Sequence, residues 1–133
     1  MFSMKIITYS CLLFSGFSKH KFKQYRKRFN LNNLVEIHHI IPRQHKNHPV
    51  IINTKYNIED GYNLMFLPNE NGKNKLNLHE NRAVHQYGHY KYNLFIKEHL
   101  DYLYKSNNYS NIDIINLNIY LKKNLRNLKI PWN

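Results

Sequence analysis

Two histidine pairs are the side chains of this sequence best suited to chemistry: the adjacent His38 and His39, and His85 with His89 four residues apart. Residues four apart on a helix share a face, with Cβ atoms about 5–6 Å apart, so both imidazoles of the second pair can hold one divalent ion. The adjacent pair adds a division of labour. Neighbouring residues of a strand point to opposite faces, so one imidazole can turn to a metal while the other meets a water or a phosphate. Cys11 is the only cysteine, which excludes an intramolecular disulfide and a cysteine-based zinc site and leaves His, carboxylate or Asn as ligands.

The elements that must position these groups follow from pattern. Val35-Glu36-Ile37-His38-His39-Ile40-Ile41 is rich in β-branched residues and stopped by Pro42, and it predicts a strand with the histidine pair near its end. Tyr62 to Leu67, ended by Pro68, predicts a second strand, and the two suggest a hairpin-like pair around a long loop. Residues 43–61 are expected to be mostly loop around the apolar piece Val50 to Ile52, with Asp60-Gly61 as a turn. The polar Asn69 to Asn77 is expected to be loop. Leu78 to Tyr104 has helical character, with Gly88 as the place where the helix breaks. A last amphipathic helix runs from Ile112 to Leu128, before Pro131.

At 133 residues the chain fits one domain. Twenty Lys and Arg against eight Asp and Glu give a formal charge of +12, which favours a polyanionic partner, nucleic acid first. Lys19 to Arg28 holds seven basic or His residues in ten, with Phe22, Tyr25 and Phe29 at helical spacing. It predicts a helix with an aromatic face and a cationic face, the latter offering Lys23, Arg26 and Lys27 to phosphate, set against a basic helix docked by its aromatics and merely solvated. Arg43 and Arg82 are further phosphate candidates by position alone, set against a solvated role for each. His45, His48 and His79 read as polar loop residues, and His20 and His99 as solvent-facing. Residues 1–17 resemble a short signal peptide, set against an ordinary apolar N-terminal segment. They are too short for a membrane span of about 20 apolar residues, so no transmembrane anchor is expected. The single domain is then 18–133; secretion would follow from the signal-peptide reading and an intracellular place from the other.

Three ordered motifs carry a resemblance: His38-His39-Ile40-Ile41-Pro42, then Tyr62-Asn63-Leu64-Met65-Phe66-Leu67-Pro68, then His85-Gln86-Tyr87-Gly88-His89-Tyr90-Lys91-Tyr92-Asn93. Residues 35–104 thereby resemble the HNH (ββα-metal, His-Me finger) endonuclease superfamily, and more narrowly its AHH type, from which Ile37 departs where that type has Ala. The resemblance implies an α+β fold, a small ββα-metal core with flanking N- and C-terminal helices. It implies that His38, His85 and His89 are metal ligands, that His39 is the general base, and that Asn63 holds the inter-strand loop through backbone hydrogen bonds. It also implies phosphodiester hydrolysis, of DNA before RNA, leaving a 5′-phosphate and a 3′-hydroxyl. One divalent cation is expected, with Mg²⁺, Mn²⁺, Zn²⁺ and Ni²⁺ all compatible. Two alternatives stand beside it: a structural, non-catalytic metal-stapled nucleic-acid-binding module, and the same nuclease used as an exported toxin or effector. Base specificity and oligomeric state have no legible signal.

Overall fold

The structure, a computed structural model, describes residues 18–78, 80, 82–85, 89–127 and 129–132. The apolar segment 1–17 and His79 lie outside the described residues. Helix α1 (Lys19–Arg28) is followed by strand β1 (Val35–His39), a short 3₁₀ turn, helix α2 (Pro49–Asn53), a second 3₁₀ turn, and strand β2 (Leu64–Pro68). Helices α3 (Glu70–Lys75), α4 (Tyr90–Ser106) and α5 (Asn111–Asn127) complete the order. This is the mixed α+β architecture expected from the sequence.

The two strands form an antiparallel ribbon in the register Val35↔Pro68, Ile37↔Phe66, His38↔Met65 and His39↔Leu64. Alternation along β2 divides its side chains between two apolar clusters. Leu64 and Phe66 join Phe22, Leu31 and Val35 under α1, whereas Met65 and Leu67 join Ile40, Ile41, Tyr92, Ile96, Leu100, Leu121 and Leu125 beneath α4 and α5. A two-stranded ribbon is marginal alone in water. Here both faces are covered, and every residue of β2 is buried.

Local chemistry explains where the elements start. Ser18 caps α1 by accepting from the Lys21 N–H at 3.2 Å. Helix α2 occupies what reads as loop in the sequence: Pro49 stands in its first turn, where no N–H is needed, and the His48 ring accepts from the Val50 N–H. The expectation of a loop over 69–77 is likewise corrected. Asn69 accepts from the Gly72 N–H at 2.7 Å and Glu70 sits in the first turn, so capping and the helix dipole support a polar helix α3 that hydrophobic periodicity does not signal. Helix α4 begins at Tyr90, well after Leu78, with His89 at its N-cap. Among the described residues no helix is long and apolar enough to cross a membrane.

Candidate active site

Strand alternation sends the two adjacent histidines to opposite sides of the ribbon. His38 lies on the α4 side, 3% exposed, while His39 keeps 15% of its side-chain surface. The His38 ring faces His89 at a centroid distance of 5.4 Å, His85 at 6.0 Å and Tyr92 at 5.5 Å. Burial, reinforced by the neighbouring His89, His85 and His39, holds the His38 pKa well below the ordinary 6.5, so its ring is neutral at neutral pH. Its Nε2 is buried without a hydrogen-bond partner. An orphaned imidazole nitrogen in a buried site is costly unless something with an empty orbital or a proton meets it.

His85 and His89 do not share a helix face, contrary to the helical premise for the pair. His85 lies outside any helix or strand, and its N–H donates to the Pro68 carbonyl at 2.8 Å, which hangs it from the end of β2. His89 stands at the mouth of α4, and its Nδ1 is 3.1 Å from Asn93 Oδ1. With Asn93 Oδ1 accepting, Nδ1 carries the proton and Nε2 the free lone pair, the usual arrangement for a metal-binding histidine held by an outer partner. His85 has its pKa lowered, by burial first, with the Glu36 carboxylate opposing.

These three imidazoles have the donor chemistry for one borderline divalent cation. Among the described residues no trio of His, Cys, Asp or Glu is drawn tightly enough to close on an ion as it stands. Rings bound at the usual metal–nitrogen distance of about 2.0–2.1 Å have centroids roughly 5 Å apart. The third separation, 6.4 Å between His85 and His89, is the widest. Closure therefore asks for a movement on the order of 1 Å, mainly of His85 towards the other two rings. The residues fit the group, with His38 Nε2 as the deciding atom.

On the other face, Glu59 joins His39 to Arg43. The Arg43 guanidinium engages Glu59 in a two-pronged ion pair, with Nη2 to Oε2 at 2.9 Å, and Oε2 also lies 3.2 Å from His39 Nε2. Arg43 first, and then His39, holds the Glu59 carboxyl down at about 2. An ionised carboxylate only accepts, so His39 Nε2 carries the proton and Nδ1 the lone pair. Burial lowers the His39 pKa and outweighs the Glu59 contribution, leaving the ring neutral near pH 7.

Asn63 ties the two halves together. Fully buried, it accepts at Oδ1 from the Ile41 N–H (2.9 Å) and the Tyr56 hydroxyl (2.7 Å), and donates from Nδ2 to the carbonyls of Ile41 (3.0 Å) and Ile58 (2.8 Å). The chain immediately after the histidine pair is thus bonded to the residue before Glu59. Asn118 of α5 supports the Tyr56 hydroxyl at 2.7 Å, and the buried Tyr92 hydroxyl donates to the Ile40 carbonyl.

Residues 20–126 match a nuclease family of the HNH/ENDO VII superfamily with conserved AHH. The chain belongs to the AHH nuclease family. Ile37, directly before the His38-His39 pair, packs its side chain against the α1 cluster. Nucleases of the superfamily generally use a divalent metal, and the family places nucleic acid as the substrate. No curated protein and no solved structure matches the chain.

The phosphate candidates separate by exposure. Lys23, Lys27 and Arg43 are exposed. Arg26 is turned into the fold, donating to the Val35 carbonyl and pairing with Glu36. Arg82 is corrected: at 8% exposure it is a buried side chain, and neither a solvated cation nor a surface phosphate clamp describes it. His45 is also buried, at 7%, and His48 donates from Nε2 to Asp101 at 2.8 Å, so both act within the fold. Glu59 was not singled out by sequence. Its one signal is scarcity, an acid between the two strands of a chain that has only eight.

Proposed function

We propose that this AHH nuclease is a metal-dependent endonuclease that hydrolyses phosphodiester bonds of DNA. The observation that carries the reading is the split of one dipeptide across the ribbon: His38 is buried with an orphaned Nε2 among two other imidazoles, and His39 is neutral and partly open beside Arg43.

His38, His85 and His89 would hold one divalent cation, and Asn93 keeps the His89 lone pair at Nε2. Such a cation would supply positive charge to the phosphoryl group and the leaving oxygen. His39 takes the proton of the attacking water at Nδ1, the nitrogen that the Glu59 contact leaves with its lone pair. The water oxygen bonds to phosphorus as the P–O3′ bond breaks, and the departing O3′ takes a proton from solvent, so the products are a 5′-phosphate and a 3′-hydroxyl. Asn63 does not touch substrate; it fixes the backbone that follows His39. Exposed Lys23, Lys27 and Arg43 attract and position the phosphates without reading bases.

The test is cleavage of plasmid DNA, beside single-stranded RNA, by the purified chain with Mg²⁺, Mn²⁺, Zn²⁺, Ni²⁺ or EDTA, in parallel with His39→Ala. The expected result is metal-dependent nicking of DNA that His39→Ala abolishes while nucleic-acid binding survives. Binding without cutting in every metal would overturn the nuclease reading and leave the metal-stapled binding module. Faster turnover of RNA would transfer the substrate.

A further inference from the structure

Trp132 is the only tryptophan, and it lies beyond the stretch that matches the family, which ends at residue 126. The C-terminal segment nonetheless returns to the histidine cluster. Ile130 and Trp132 are each 6% exposed and belong to the main apolar cluster, and the Tyr92 N–H donates to the Trp132 carbonyl at 3.4 Å. The indole lies flat on His89, at 4.8 Å and an interplanar angle of 23°. It meets His38 edge-on at 5.5 Å. Its Nε1–H donates to the Val84 carbonyl at 3.0 Å, the residue next to His85.

One side chain therefore contacts two of the three imidazoles and tethers the backbone beside the third. We propose that Trp132 is a positioning residue for the metal-binding histidines, a C-terminal clamp that orders the His38, His85 and His89 rings for one divalent cation. The inference rests on the reading of those rings as the metal site. Its physical basis is twofold. The orientation of a ligand ring is set by what packs against it, and such outer partners are typically worth 10–100-fold in metal affinity. An imidazole also gains positive character when it binds a cation, and the negative face of a stacked indole favours that state.

The test uses the full chain and Zn²⁺, Co²⁺ or Ni²⁺ alone, without nucleic acid. In the parent protein, Co²⁺ or Ni²⁺ should quench tryptophan emission, with EDTA restoring it, and calorimetry should show one site that His89→Ala removes. Absent uptake, or uptake indifferent to His89→Ala, overturns the metal-site reading and this inference with it. With the site in place, Trp132→Ala should weaken Zn²⁺ binding about 10–100-fold. Trp132→Phe, which keeps a ring on His89 but loses the Val84 hydrogen bond, should fall between the two and shift the visible spectrum of bound Co²⁺ less than Trp132→Ala. Circular dichroism checks that each variant is folded. Folded variants that bind Zn²⁺ within twofold of the parent, with an unchanged Co²⁺ spectrum, would overturn the clamp and leave Trp132 as packing only. Should Trp132→Ala not fold, Trp132→Phe decides by the same criteria.

Discussion

Asn63 grips the Ile41 peptide at both ends, accepting from its N–H at 2.9 Å and donating to its carbonyl at 3.0 Å. A strand partner would do the same with its backbone. Here a side chain performs it just beyond the last ribbon pair, while its own carbonyl accepts from the Ile40 N–H at 2.7 Å. The chain leaving His39 is thereby held in one course without a third strand. Asn63→Ala would leave the Ile41 and Ile58 groups buried and unpaired, so a loss of about 2–4 kcal/mol in unfolding free energy is expected. Cleavage should fall with it and metal binding should persist in the folded fraction. Loss of metal from folded Asn63→Ala would mean that the carboxamide serves the ligand face as well.

Gly72 makes a second prediction, about the support under β1. A Cβ at this position would run into the Leu34 carbonyl oxygen, a backbone atom that cannot swing aside. The same backbone carbonyl accepts from the Asn69 N–H at 2.9 Å, so α3 is seated directly on the approach to β1. Gly72→Ala is expected to cost about 2–4 kcal/mol, above the ordinary range for a surface change. Chemical denaturation would measure it, and a cost below about 0.5 kcal/mol would show that α3 can shift without penalty.

How far the sequence carries depends on the kind of force. The strands are legible because β-branched runs end at Pro42 and Pro68, and α1 because Phe22 and Tyr25 mark its inner face. The extent of α5 is legible but its face is not: the sequence stripe Ile112, Ile115 and Ile119 is exposed, and Ile114, Leu117, Leu121 and Leu125 are buried instead. The opposite facing of His38 and His39 is legible for the same local reason, the two-residue repeat of a strand. Helix α3 is not, since its support comes from the Asn69 cap and the Leu34 contact and not from an apolar stripe. The His85 and His89 pair has helical spacing yet is brought together by tertiary contacts, the Pro68 carbonyl for one and the Trp132 indole for the other, with only the His89 contact to Asn93 being local. Glu59 and Trp132 reach the site across long stretches of chain, and no spacing rule announces them.

Acid stability should report the Glu59 bridge. Its carboxyl is held at about 2 in the fold against an ordinary 4.5, by Arg43 first and His39 second. A depressed folded pKa means that the unfolded chain binds the proton more readily, so the contribution is fully present above pH 4.5 and is lost as pH falls towards 2. The side chain is 49% exposed, and screening by solvent reduces the benefit to the range of about 0.2–1 kcal/mol. Glu59→Gln should lower the melting temperature slightly at pH 7 and flatten its fall between pH 4.5 and 2. An acid profile parallel to that of the parent would place the loss of stability in other groups.

Metal removal gives the most direct check on the ligand face. His38 enters the fold neutral, with a buried and unpartnered Nε2, which costs free energy that a bound cation would relieve. Because the unfolded chain does not preserve the three-ring geometry, binding free energy adds to folding stability, by about 2.7 kcal/mol at 100 times the dissociation constant. The parent protein should therefore melt several degrees higher with Zn²⁺ than with EDTA. His89→Ala should melt alike in both, because two remaining imidazoles hold the ion weakly. Equal melting of the parent in Zn²⁺ and EDTA would remove these rings from the metal site, and a metal-dependent shift retained in His89→Ala would move the ion to other ligands.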